Sequence, residues 1–204
     1  MRSLLVSFLI LCTASSVSAR PVSYPGGWTV ITENDGDENN ALVHYTLTTH
    51  TAIGWRIAYD RATHETFNGI QMNNLLKRWN NPDSQANIYL KSAIGMAERP
   101  EGMLGAQIDW EDRRFMTSYE NAVTLSPENA KRKFHQSFGL GIAPYLGESG
   151  ELQTWIMPHL LYQSEDDKKW QFAPMLRFYK NTVLIEAGYN FTKSTPVANA
   201  MIRF

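Results

Sequence analysis

From Trp28 to Phe204, apolar side chains recur at every second position, in runs separated by Asp, Asn, Gly, Pro, Ser and Lys. A period of two is the signature of strands with two chemically different faces, and clusters of turn residues at regular spacing make successive strands antiparallel neighbours. Downstream of residue 19 no stretch approaches the roughly 18 apolar residues of a spanning helix. If this chain enters a bilayer, it does so as a closed sheet, because an open sheet edge leaves backbone groups unsatisfied in hydrocarbon. The pattern predicts an all-β fold, an antiparallel transmembrane β-barrel of about twelve strands. They are placed near 28–33, 41–47, 52–60, 66–78, 86–97, 104–111, 114–124, 132–146, 152–163, 170–179, 182–191 and 197–204. Ten strands is the other count it allows. Pro144, Pro158 and Pro174 fall inside three successive runs, so bulges or broken pairing are expected there. Lys77 and Arg78 are adjacent, so one of them has to leave the interior.

One face carries Ile53, Trp55, Ile57 and Tyr59, then Ile88, Leu90, Ile94 and Met96, then Phe134, Phe138, Leu140 and Ile142, and then Val183, Ile185 and Tyr189. The other carries Arg56, Asn87, Lys91, His135, Ser137, Gly139, Gly141 and Glu186. In a membrane barrel the first face meets lipid and the second a wet or filled interior. A soluble barrel would reverse them. With the N-terminus on the periplasmic side, Tyr59, Phe134, Tyr162, Trp170 and Phe191 fall near the outer interface, and Trp28, Trp110, Phe115, Phe178 and Phe204 near the inner one. Two aromatic belts are what a spanning barrel carries.

The first residues read as an export signal: a basic start at Arg2, an apolar centre from Leu4 to Cys12, and a small-residue exit at Val17-Ser18-Ala19. Cleavage is expected after Ala19, leaving 20–204 as a single barrel domain. The only cysteine, Cys12, goes with the signal, so the mature chain has no thiol for disulfides or metal binding. Bulky Ile10 and Leu11 before it argue against lipidation. Loss of Arg2 takes the formal net charge from −1 to about −2, which does not suggest a nucleic-acid partner.

The chain ends Val197-Ala198-Asn199-Ala200-Met201-Ile202-Arg203-Phe204. An amphipathic last strand closed by an aromatic residue resembles the C-terminus of Gram-negative outer-membrane barrels. The resemblance implies that Phe204 is read by the barrel assembly machinery. The opening Ser23-Tyr24-Pro25-Gly26-Gly27-Trp28 and the segment Asn73-Asn74-Leu75-Leu76-Lys77-Arg78-Trp79 are similar to a family of uncharacterised proteobacterial outer-membrane proteins, a resemblance that implies metal-handling surroundings. An outer-membrane location, a lipid environment and a monomer are the corresponding expectations.

Three inward-facing groups are candidates for function. Arg56, Lys91, Arg177 and Arg203 against Asp109, Glu120 and Glu186 form a mixed-charge lumen that must pair or meet water. His44, Met116, His135, Met157, His159, Met175 and Met201 also point inward; imidazole and thioether suit soft cations, above all a copper ion, whereas packing is the plainer use of methionine. No cofactor other than such an ion is expected. His135 and Ser137, with Glu120 nearby, form a His-x-Ser pair comparable to that of outer-membrane lipid A deacylases, although theirs faces lipid. The expected function is a narrow passive channel or structural barrel, with envelope copper handling as its specific form. The alternatives are a lipid-acting enzyme and a soluble periplasmic barrel that binds an apolar ligand.

Overall fold

The computed structural model describes residues 20–126, 129–148 and 150–204, with backbone alone for 129–132. The expected export segment, 1–19, lies outside the described residues. The chain is a closed antiparallel barrel of twelve strands, not ten. The strands are β1 (Trp28–Asn34), β2 (Glu38–Thr46), β3 (Thr51–Asp60), β4 (Thr66–Asn80), β5 (Ser84–Met96), β6 (Pro100–Asp112), β7 (Phe115–Ser126), β8 (Asn129–Ile142), β9 (Gln153–Gln163), β10 (Trp170–Lys180), β11 (Val183–Asn190) and β12 (Thr195–Arg203). Each pairs with its sequence neighbours. β1 closes the cylinder on β12 in the register Thr29↔Arg203 to Asn34↔Ala198. Closure leaves no edge, which is what a bilayer demands of a sheet.

The alternation resolves into an apolar outside. Trp55, Ile94, Leu104 and Leu140 are exposed on the outer wall, while Ala52, Tyr89, Met157 and Leu184 are buried within. A soluble barrel with an apolar ligand inside needs the opposite facing, so that alternative is set aside. Exposed rings gather at both rims: Trp28, Trp79, Trp110, Phe115 and Phe204 at the rim that carries both strand termini, and Trp170, Phe172, Tyr189 and Phe191 at the far rim. Tyr162 and Trp170 pack at 5.0 Å between centroids, and Trp28 and Tyr45 at 5.2 Å.

Three local features refine the sequence expectation. β8 ends at Ile142 rather than at 146, so Pro144 lies in the following turn. Pro158 and Pro174 face one another across β9 and β10 with no register shift between those strands. The irregularity falls on the other side of β9, where the β8 pairing runs to Gly139↔His159 and resumes only at Ile142↔Ile156. Proline cannot donate to a ladder, and the gap lies beside it. In β4 a bulge between Leu75 and Lys77 resolves the adjacent cations. It lets Lys77 lie outside over the Trp79 ring, 5.7 Å from its centroid, while Arg78 turns in to donate to Asn87 Oδ1 at 2.7 Å.

Candidate functional site: the barrel interior

The inner wall has an apolar sector and a polar one. On β7 to β10, Met116, Trp155, Met157, Ala173 and Met175 form a buried cluster that reaches Val197 on β12. Glycines on β8 make the room for it. A Cβ at Gly141 would lie 2.4 Å from Met116 Cγ and 3.0 Å from Met157 Sδ, and one at Gly139 2.9 Å from His159 Cε1. The thioethers of β7 and β9 therefore meet over a strand that presents no side chain to them.

The polar sector runs from rim to rim along β2 to β7. At the far rim Arg56 donates to Glu38 at 2.9 Å and to Asn40 at 3.0 Å, and its guanidinium lies over Phe67. At mid-height Lys91 donates to Glu120, from a strand two positions away, and to Gln107 at 3.4 Å. Lower on β6, Asp109 accepts from Asn87 at 2.6 Å, and Glu111 is ion-paired with Arg20 at 2.5 Å. Across the lumen, Arg177 bonds Glu186 at 2.6 Å, Glu186 accepts from Asn199 at 2.8 Å, and Arg177 also donates to Met116 Sδ at 3.2 Å. The Arg56–Glu38, Lys91–Glu120 and Arg177–Glu186 pairs are each held by further hydrogen bonds, the condition under which burying charge does not unfold a wall.

The residues considered for a soft metal fall in three places. Met116, Met157 and Met175 share the apolar cluster, with Met157 and Met175 directly paired between β9 and β10 and His159 two residues from Met157. His44 is fully buried on β2, opposite Gly54 and Thr29, and Met201 is buried on β12. His135 lies on β8 in the far half, paired with Ala122. The Arg177 guanidinium already occupies the Met116 sulfur, which places a positive charge where a metal cation would sit. Among the described residues no three His, Cys, Asp or Glu side chains converge as a ligand group. Ser137 and Glu120 face each other between β8 and β7 on the inner face, as does His135 two residues along, so this group looks into the lumen and not toward lipid. Phe204 closes the seam: Trp28 N–H donates to its carbonyl at 2.7 Å and its own N–H donates back at 3.0 Å, while its ring is exposed at the rim.

Two features had escaped the periodicity. Residues 20–25 turn back from β1 into the terminal-rim mouth, where Arg20, Pro21 and Val22 are buried. The only sequence cue was a Gly26-Gly27 reversal just before the first strand. At the far rim Lys193, in the β11–β12 turn, pairs with Asp37 of the β1–β2 turn at 2.5 Å and with Asp166 of the β9–β10 turn. Burial alone would lower the Lys193 ammonium, but the two carboxylates hold its pKa above the ordinary 10.5. The far rim also holds a recess of about 70 Å³ lined by Glu38, Arg56, Asp60, Glu101 and Lys133 among others.

A closed twelve-stranded antiparallel wall, apolar outside, belted at both rims and ionic within, has the fold of an outer-membrane barrel. Two solved structures of KdgM porin, one in complex with disordered oligogalacturonate, superimpose with TM-scores of 0.55 and 0.52 at 6% and 7% identity, covering 87% of this chain and 98% of theirs. LpxR from Salmonella typhimurium aligns over 87% of this chain and 99% of its own at 9% identity, with a TM-score of 0.43. These likenesses concern the fold. No family model and no curated protein sequence matches the chain.

Proposed function

We propose that the protein is a monomeric barrel of the Gram-negative outer membrane whose lumen is a narrow passive path for small hydrophilic or ionic solutes. The observation that carries this reading is the polar stripe along β2 to β7. It runs from Arg56 and Glu38 through Lys91 and Glu120 to Asp109 and Glu111, opposite the methionine-packed sector. A barrel that served only as a scaffold could fill its bore with apolar side chains, as small barrels do, and would avoid the cost of burying charge. The outer wall supports the location, since a band of exposed Leu, Ile and Trp between two aromatic rims suits lipid. The fold likeness to KdgM porin agrees with a conducting barrel.

The test is conductance in planar bilayers. Discrete steps are expected, and under a salt gradient the reversal potential should move toward cation preference for Lys91→Gln and toward anion preference for Glu120→Gln. A folded, heat-modifiable preparation that never conducts, even with residues 20–25 removed, rejects the reading. A conductance whose selectivity ignores both substitutions moves the path away from the stripe.

A further inference from the structure

The stripe ends in an occupied seat. Arg20 reaches Glu111 Oε1 with one guanidinium nitrogen at 2.5 Å, and Glu111 is only 3% exposed. The strap's backbone is held as well: Arg203 donates to the Arg20 carbonyl at 3.2 Å and Asn73 Nδ2 to the Pro21 carbonyl at 3.1 Å. Val22, 2% exposed, packs with Ala52, Leu75 and Tyr89 on three consecutive strands. The chain returns to the wall through Gly26, whose φ of +83° favours glycine and whose N–H donates to the Thr46 carbonyl at 2.9 Å. Strands from opposite sides of the mouth thus grip one segment, which bends at Pro21 and Val22. No ladder pairs it to them, and Val22 is the side chain it contributes to the apolar cluster.

A carboxylate buried to this degree is costly without its cation, so the mouth is built around a guanidinium. The amide and guanidinium donors aimed at two successive carbonyls add recognition of the segment's backbone. We propose that the terminal-rim mouth is a peptide-binding site for a guanidinium-bearing segment, that the chain's own Arg20–Val22 occupies it, and that release of this strap opens the polar stripe to solutes. The last clause rests on the channel reading; the seat itself does not.

The experiment uses the full chain, exported by cells and purified from their membranes, in a Cys12→Ser background so that an engineered pair supplies the only thiols. Val22→Cys with Ala52→Cys should form a disulfide in the folded barrel, and the oxidised protein should stay shut. Reduction, or Arg20→Ala without the lock, should raise open probability on the order of tenfold or more, the scale of one lost hydrogen bond to a charged group. A synthetic peptide of residues 20–25 added on the terminal-rim side of a barrel lacking them should restore block, and the same peptide with alanine at the arginine position should not. Failure of the disulfide to form in a heat-modifiable barrel overturns the seat. Equal block by both peptides overturns the guanidinium class. If the lock forms but strap-free barrels stay silent, the seat stands and the channel reading falls. If barrels conduct alike whether locked or reduced, the channel stands and the gating role falls.

Discussion

A charge placed on the outer wall at mid-height separates a membrane barrel from every soluble reading of this fold. Leu104 on β6 is suited to it: 52% exposed, paired with Ser92 and Val123, and six residues from the Trp110 belt on the same strand and face. At that depth Leu104→Arg should cost about 2–4 kcal/mol in lipid, lowering the folded-to-unfolded ratio by roughly 30- to 1,000-fold. With a denaturation slope of about 2 kcal/mol per molar urea, the midpoint in vesicles should fall by about 1–2 M. Thr117→Arg is the depth control. Thr117 faces the same way but pairs with Trp110 and Leu140 near the terminal rim, where the cost should be about 0–1 kcal/mol. Leu140, two residues from the end of β8 as the structure defines it, is too close to that rim for the mid-depth role. The readout is urea titration in lipid vesicles, followed by the heat-modifiable band. In a water-soluble barrel an exposed Leu104 would tolerate arginine within about 0.5 kcal/mol. Equal midpoints for wild type and both variants would refute the assignment of the outer wall to lipid.

Lys193→Met should free the three far-rim turns and speed their cleavage by an added protease without changing the melting of the wall; unchanged cleavage would mean the clamp holds nothing. Because the folded pKa of Lys193 is raised, the clamp's contribution is fully present below about 10.5 and lost as pH rises through the raised value, so turn protection should persist to that point and then decline. An assembly-signal role for Phe204 predicts that deleting it reduces insertion in cells more than refolding into detergent; normal insertion in cells would remove that role from it. With Arg177 seated on the Met116 sulfur, Cu(I) binding should be weak and about the same in wild type and in Met157→Leu with His159→Gln. A clear loss in the double variant would give the methionine wall a soft-metal role.

The twelve strands and the facing of Trp55, Ile94 and Glu186 were legible because a period of two survives wherever one face of a wall is apolar and the other polar. The bulge at Leu76 was not, since Leu75-Leu76 reads as an ordinary run and only the choice between Lys77 and Arg78 hints at a slip. The end of β8 was missed because alternation continues into the turn through Leu146. Within the interior, sequence could nominate Lys91, Glu120, Arg177 and Glu186 but could not pair them. Lys91 meets Glu120 across an intervening strand, a contact fixed by barrel curvature and side-chain length rather than spacing. The strap escaped because residues 20–25 have no period at all; their placement follows from the chemistry of the mouth that receives them.

The interrupted register between β8 and β9 bears on how the wall comes apart. Leu140 and Gly141 have no partner on β9, and the next seam on that side joins two prolines, neither of which can donate. Among the described residues the other interruptions are the β4 bulge between Leu75 and Lys77 and the slip between Thr124 and Ser126 near the far end of β7, whereas β5 and β6 share an unbroken ladder from Ser84 to Met96. Between β8 and β9 a short stretch is already unlaced, so deuterium should enter the amides of β8 and β9 flanking this gap before those of β5 and β6. Under load from a pulling tip, the first rip should start at this seam rather than at the β1–β12 closure. The barrel was sealed last, in chain order, at its two termini, yet it would tear first through its side.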